Sequence, residues 1–191
     1  MDDVIDALAG IAPGSALDQI RAGREQARRE AQASFRALFE PAAPGDVPLE
    51  ERWAVAAFVA GLHEQPSIQQ FYRSRLGPEL HGAVEQVVQE AKGQGPYGSY
   101  PPGPLTRENV PGPRYRVSGP LRDALGARLS AALEHTHILV FHPRDAAPEQ
   151  LQALLEAGWS TTGIVTLAQL VSFLSYQIRA VAGLRVLQAA S

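Results

Sequence analysis

The chain has 191 residues, 45% of them hydrophobic and 19% charged, with a formal charge of −3, the balance of a soluble globular protein able to bury a sizeable core. That charge lacks the basic face a nucleic-acid partner needs. Cysteine is absent, which excludes a disulfide framework, a thiolate nucleophile and any zinc site built on thiolates.

The opening MDDVIDALAG is acidic and without the basic and apolar regions of a secretory signal, so a cytoplasmic protein is expected. Ser15 is a candidate helix cap with Asp18 three residues on. From there Leu17, Ile20, Ala27, Ala31, Phe35 and Leu38 share one face, so a first helix should run to about Phe39. Arg21, Arg24, Arg28 and Arg29, interleaved with Glu25 and Glu30, read as its solvated face. Pro41 and Pro44 break the pattern twice between Glu40 and Pro48, and Asp46 reads as the start signal of a second helix. The small residues Ala56, Ala57, Ala60 and Gly61 of that helix suit a close crossing, and Gln65 with Pro66 reads as a stop and restart. A fourth helix, from Pro78, groups Leu80, Val84, Val87 and Val88.

Residues 93–119 are too rich in glycine and proline for a helix or a central strand. Their tyrosines Tyr97, Tyr100 and Tyr115 point to an ordered loop packed on the body, either a lid over a pocket or an arm around a second subunit. Pro120 opens a helix with Leu121, Leu125, Leu129 and Leu133 spaced four apart; a short helix from about Pro148 closes at Gly158. Ser160 then caps a long apolar helix to Leu187, without a charge between Glu156 and Arg179. The run is long enough for a membrane span, but Gln169, Ser172, Ser175 and Gln177 interrupt it, so it is read as a core helix and no membrane partner is expected. At about 100° per residue, Gln169, Ser172, Tyr176 and Arg179 form one polar stripe ending at Gly183.

Histidine is the remaining general acid or base. His135, His137 and His142 cluster in HTHILVFH, and at a helix end His135 and His142 would share a face near Asp145. That spacing is not diagnostic of a metal, and no metal or cofactor is assigned; the histidines are either ligand-binding, with His135 the acid–base candidate, or helix-end residues. His63 stands where the second helix ends. Arg179, in the most apolar helix, has to find a carboxylate such as Glu50 or Glu51, carbonyls or an anionic ligand.

The stretch LLEAGWSTTGIVTLAQLVSFLSYQIRAVAGL resembles the C-terminal part of the alkylhydroperoxidase D-like, carboxymuconolactone decarboxylase-like family. The rhythm stands as Leu154, Ala157, Gly158, Trp159, Ser160, Ile164, Val165, Phe173, Arg179, Gly183 and Leu184. PLEERWAVAAFVAGL is similar to the family's helix leading into its redox motif, and the likeness covers about two thirds of the chain. WAVAAFVAGL and IVTLAQLVSFL share a texture, which suggests two related halves. The resemblance implies an all-α fold with halves 1–92 and 120–191 joined by the 93–119 loop, and a homo-oligomer.

The family's redox Glu, Cys, Cys and His fall on Trp53, Gln65, Ile68 and Tyr72, so thiol-peroxidase chemistry is excluded for this chain alone. Its two asparagines near the last arginine are replaced by Ser175 and Ile178. Two functions follow from the resemblance. One is a non-thiol protein that binds a small molecule, with Trp53, Gln65, Tyr72 and Tyr176 facing it, or that accompanies a cysteine-containing paralogue. The other is a decarboxylase- or isomerase-type enzyme with His63 or His135 as acid–base and Arg179 as carboxylate anchor.

Overall fold

The computed structural model describes residues 3–190, which fold as helices in sequence: α1 (Val4–Ala9), α2 (Ala16–Ala22), α3 (Glu25–Phe39), α4 (Leu49–Leu62), α5 (Pro66–Arg73), α6 (Pro78–Ala91), α7 (Gly119–Phe141), α8 (Pro148–Glu156) and α9 (Thr161–Ala189). Among the described residues there is no strand, only an isolated antiparallel bridge between Gly98 and Val110. The fold is all-α, and Met1, Asp2 and Ser191 lie outside the described residues.

α4 is the hub, packed against α5, α6, α7 and α9. Arg52 and every residue from Ala54 to Leu62 are buried. Small side chains make this possible: a Cβ on Gly61 would stand 2.6 Å from Val88 Cγ1, so α4 and α6 cross closely only because Gly61 has none. Arg52 is buried without a carboxylate, donating to the carbonyls of Leu38 (2.6 Å), Pro44 (2.5 Å) and Val47 (3.0 Å), and so ties down the turn before its own helix. Burial lowers its pKa from the ordinary arginine value.

α9 is the second organiser. Ser160 Oγ accepts from Gly163 N (2.9 Å), as its position predicts, and Leu167, Leu170, Leu174 and Val181 are fully buried against α1, α3, α4 and α7. By length and composition α9 is apolar enough to cross a membrane, yet this inner face is packed into the body.

Several expectations are corrected. The first helix is broken at Gly23 and Arg24 into α2 and α3, and a short helix, α1, precedes them and packs on α9 and α3. Asp3 caps α1 by accepting from Asp6 N (2.9 Å), and Val4 and Ile5 are fully buried. The arginine face is only partly solvated. Arg21 pairs with Asp3 and Asp6, and Arg28 pairs with Asp3, Asp6 and Asp18, a network that holds three helices together. Asp46 starts no helix; it accepts from Ser160 Oγ (2.5 Å) at the head of α9, and Pro48 stands at the cap of α4. α7 bends at Gly126 (φ 76°), with Leu121, Leu125, Leu129 and Leu133 buried on either side.

The segment between α6 and α7 is pinned to the body. Tyr97 N donates to Phe141 O (2.6 Å), Ser99 N to Asp145 Oδ1 (3.0 Å) and Tyr115 OH to Glu90 (3.3 Å). A Cβ on Gly112 would stand 2.2 Å from the Tyr97 ring, so the two arms of the loop close on each other at that point.

Candidate functional site

The end of α4, the start of the Gly/Pro segment at Gly95 and Pro96, the last turn of α7 and the middle of α9 enclose a cavity of about 520 Å³, within the range of small-molecule sites. Its walls are apolar: Leu139, Val140, Phe141, Pro143 and Val171. The polar groups that line it are His63, Ser172, Ser175 and Arg179.

His63 lies at the C-cap of α4, where Glu64 takes up a positive φ (53°) and turns the chain toward α5. Its ring is half-buried, and Nε2 is buried without a hydrogen-bond partner. Burial, and then the charge of Arg179, hold the imidazole below its ordinary pKa and so in the neutral form near pH 7. Arg179 donates only to the carbonyl of Ser175, one turn back (3.1 Å). Among the described residues it has no carboxylate partner, and Glu51 is taken: it accepts from Arg128 (2.8 Å), whose guanidinium lies 4.3 Å from the Trp159 ring centroid. The exposure of Arg179 at the cavity mouth explains how an apolar helix carries it without an ion pair.

The polar stripe read from the sequence is the line along which three hollows meet. Gln169 and Ser172 border a hollow between α3 and α9 of about 610 Å³, which no titratable side chain lines. Ser172 and Arg179 border the His63 cavity. Tyr176, Arg179 and Gly183 border a groove against α2 and α3.

Other candidates separate from this site. His135 lines a different, smaller cavity of about 180 Å³ with Arg114, Arg116 and Gln150. Its Nδ1 is buried without a partner, and burial lowers its pKa. His63 and His135 line separate cavities. Nor does His142 share its setting with His135; it stands beside His137, ring centroids 5.9 Å apart, because it leaves helical geometry at the end of α7. His142 bridges Asp145 Oδ2 (3.2 Å) and Pro113 O (2.8 Å), and so clamps the loop. Burial, then the neighbouring His142, push the pKa of His137 down to about 4. A backbone hydrogen bond to Ser99 and the nearby His142 hold Asp145 below the usual carboxylate range. Among the described residues no group of three His, Cys, Asp or Glu side chains is placed to hold a metal ion.

Trp53 and Tyr72 line none of these hollows. Trp53 stacks on Phe39 at 4.5 Å, and Tyr72 packs within 5.2 Å of Phe39 and 5.0 Å of Phe71. Tyr72 is fully buried, donates its hydroxyl to Gln177 Oε1, and has its phenol pKa raised by that burial. Gln65 caps α5 and donates its N–H to Ala60 O (3.0 Å). Two of the four positions that the resemblance assigns to redox chemistry, Trp53 and Tyr72, are therefore part of an aromatic plug, Ile68 is fully buried, and Gln65 sits at a helix cap. Sequence reasoning missed the far wall, Leu139 to Pro143 with Pro96; the Gly-Gln-Gly-Pro and His-Pro junctions were the available signals that two chain segments end there. No protein-family model matches this chain, and no curated protein or solved structure matches it significantly.

Proposed function

We propose that this chain is a cysteine-free protein of the alkylhydroperoxidase D-like type whose cavity binds a small organic carboxylate. Arg179 anchors the carboxylate, the neutral imidazole of His63 meets a polar group on the ligand, and the aliphatic and aromatic walls take its apolar body. One observation carries this reading: a guanidinium without a carboxylate partner among the described residues and a half-buried imidazole whose buried Nε2 has no partner among them line the same cavity. Charge-assisted bonds to Arg179 give a carboxylate an advantage that a neutral analogue lacks. Titration calorimetry with benzoate and benzamide tests it. Benzoate should bind saturably and benzamide at least about tenfold more weakly, with the difference lost in Arg179→Gln. Equal binding of the two by the native protein overturns the reading.

A second reading rests on the neutral state of His63. A neutral imidazole beside a cation can accept a proton from the carbon next to a carboxylate held by Arg179 and return it to another carbon, the proton economy of an isomerase. Solvent deuterium appearing at that carbon of a bound acid, and not in His63→Gln, distinguishes catalysis from binding. The apolar surface left exposed on α9 at Val165 and Val186 supports an assembly, either a homo-oligomer or a complex with a cysteine-containing paralogue. Native mass spectrometry reads assembly and retained ligand together.

A further inference from the structure

The groove beside α9 has its own chemistry. About 340 Å³ in volume, it runs between α9 and the α2–α3 corner over Ile20, Ala27, Leu184 and Leu187. Ile20 and Leu187 are half or more exposed and give the groove an apolar floor. Four arginines border it, and they fall into two kinds. Arg21 and Arg28 are engaged by Asp3, Asp6 and Asp18. Arg24 has no ion pair or side-chain hydrogen bond among the described residues, and Arg179 has only the Ser175 carbonyl. An apolar trough with two uncommitted guanidinium groups at its edge is complementary to an apolar chain that carries an anionic head.

We infer that this groove is a second ligand site, for an amphipathic carboxylate of the medium-chain fatty-acid class. The chain lies along α9 and the head is held by Arg24 and Arg179. At Gly183 the groove passes over bare helix backbone, and a Cβ there would have nothing within 4 Å, so there is room in the trough above it. Arg179 also lines the His63 cavity, so the two sites draw on one guanidinium and their ligands compete for it; this last point alone rests on the function proposed above.

The test is calorimetry with decanoate below its micellar concentration, against decanol as the uncharged control. Decanoate should bind saturably and decanol at least tenfold more weakly. Gly183→Leu, which fills the trough where there is space for a side chain, should lower decanoate affinity at least tenfold with an unchanged circular-dichroism spectrum. Arg24→Gln should lower it about tenfold, while His63→Gln leaves it unchanged. Absence of saturable decanoate binding, or binding indifferent to both Gly183→Leu and Arg24→Gln, overturns the site. So does sedimentation in which Gly183→Leu dissociates an assembly without altering decanoate binding, because the groove is then covered by a second copy. Loss of benzoate binding with decanoate binding intact removes the cavity reading and leaves this one standing.

Discussion

Gln177 and Arg179 stand two residues apart on α9, about 200° around its axis, and meet opposite fates. Gln177 is fully buried and accepts from the Tyr72 hydroxyl beside a cluster of packed rings; Arg179 is exposed and, among the described residues, donates only to a carbonyl of its own helix. On the first side the aromatic plug of Phe39, Trp53 and Tyr72 leaves no room, whereas on the second a glycine, two prolines and aliphatic side chains leave a cavity. A polar group that takes its hydrogen bond from a neighbouring helix, as Gln177 Oε1 does while its Nε2 stays unpartnered among the described residues, marks the face that holds the fold together. One left open at a cavity mouth marks the face available to a ligand.

That contrast can be broken by exchanging the effects of the two faces. Tyr72→Ala should have the largest effect on stability, about 3–5 kcal/mol in denaturant unfolding, from the lost ring contacts and the cavity left behind. Comparable losses from Arg179→Gln would erase the distinction. Acid provides the next test. The folded-state pKa of His137 is depressed to about 4, below its unfolded value, so the unfolded chain takes up the proton first. The stability it contributes is full above about pH 6.5 and is lost as pH falls toward 4, in all about 3 kcal/mol. His63 and His135, lowered in the same direction, add to that loss. Thermal unfolding across this range should show it, and His137→Gln should flatten the profile.

For the open face, Arg179→Gln should leave stability within about 0.5 kcal/mol while weakening benzoate binding about 10–100-fold. Smaller again, Gly183→Leu should stabilise the protein by up to about 1 kcal/mol through helix propensity alone. The finest readout is the His63 imidazole in a proton-resonance titration. Its midpoint should lie below the ordinary histidine value and move upward in Arg179→Gln, because a repelling positive charge has gone.

Much of the helical plan was legible, because helices write their buried faces with a regular period. α9 with its cap at Ser160, the restart at Pro66, α6 and the C-terminal glycine of α8 all follow from spacing and cap chemistry. α1 was not legible, since six residues are too few for periodicity to declare itself, and the break at Gly23 interrupts a face whose apolar spacing continues across it. Of the site, Arg179 and His63 stood out as residues that needed an explanation, and they line one cavity. That His135 lies elsewhere is a matter of which side of α7 faces α8, and no local pattern encodes it. Only the resemblance sets Trp53 and Tyr72 at a ligand; the ring of Trp53, on the small-residue helix α4, and the fully buried ring of Tyr72 on α5 fill space against each other and Phe39.

The bond from Arg185 Nη2 to the carbonyl of Leu8 (2.6 Å) spans 177 residues and joins the last helix to the first. α1 is too short to persist alone, and its buried Val4 and Ile5 find their α9 surface only after the C-terminal helix has been synthesised. Docking of α1 therefore follows formation of α9, and this contact of high sequence separation adds to the contact order that slows folding.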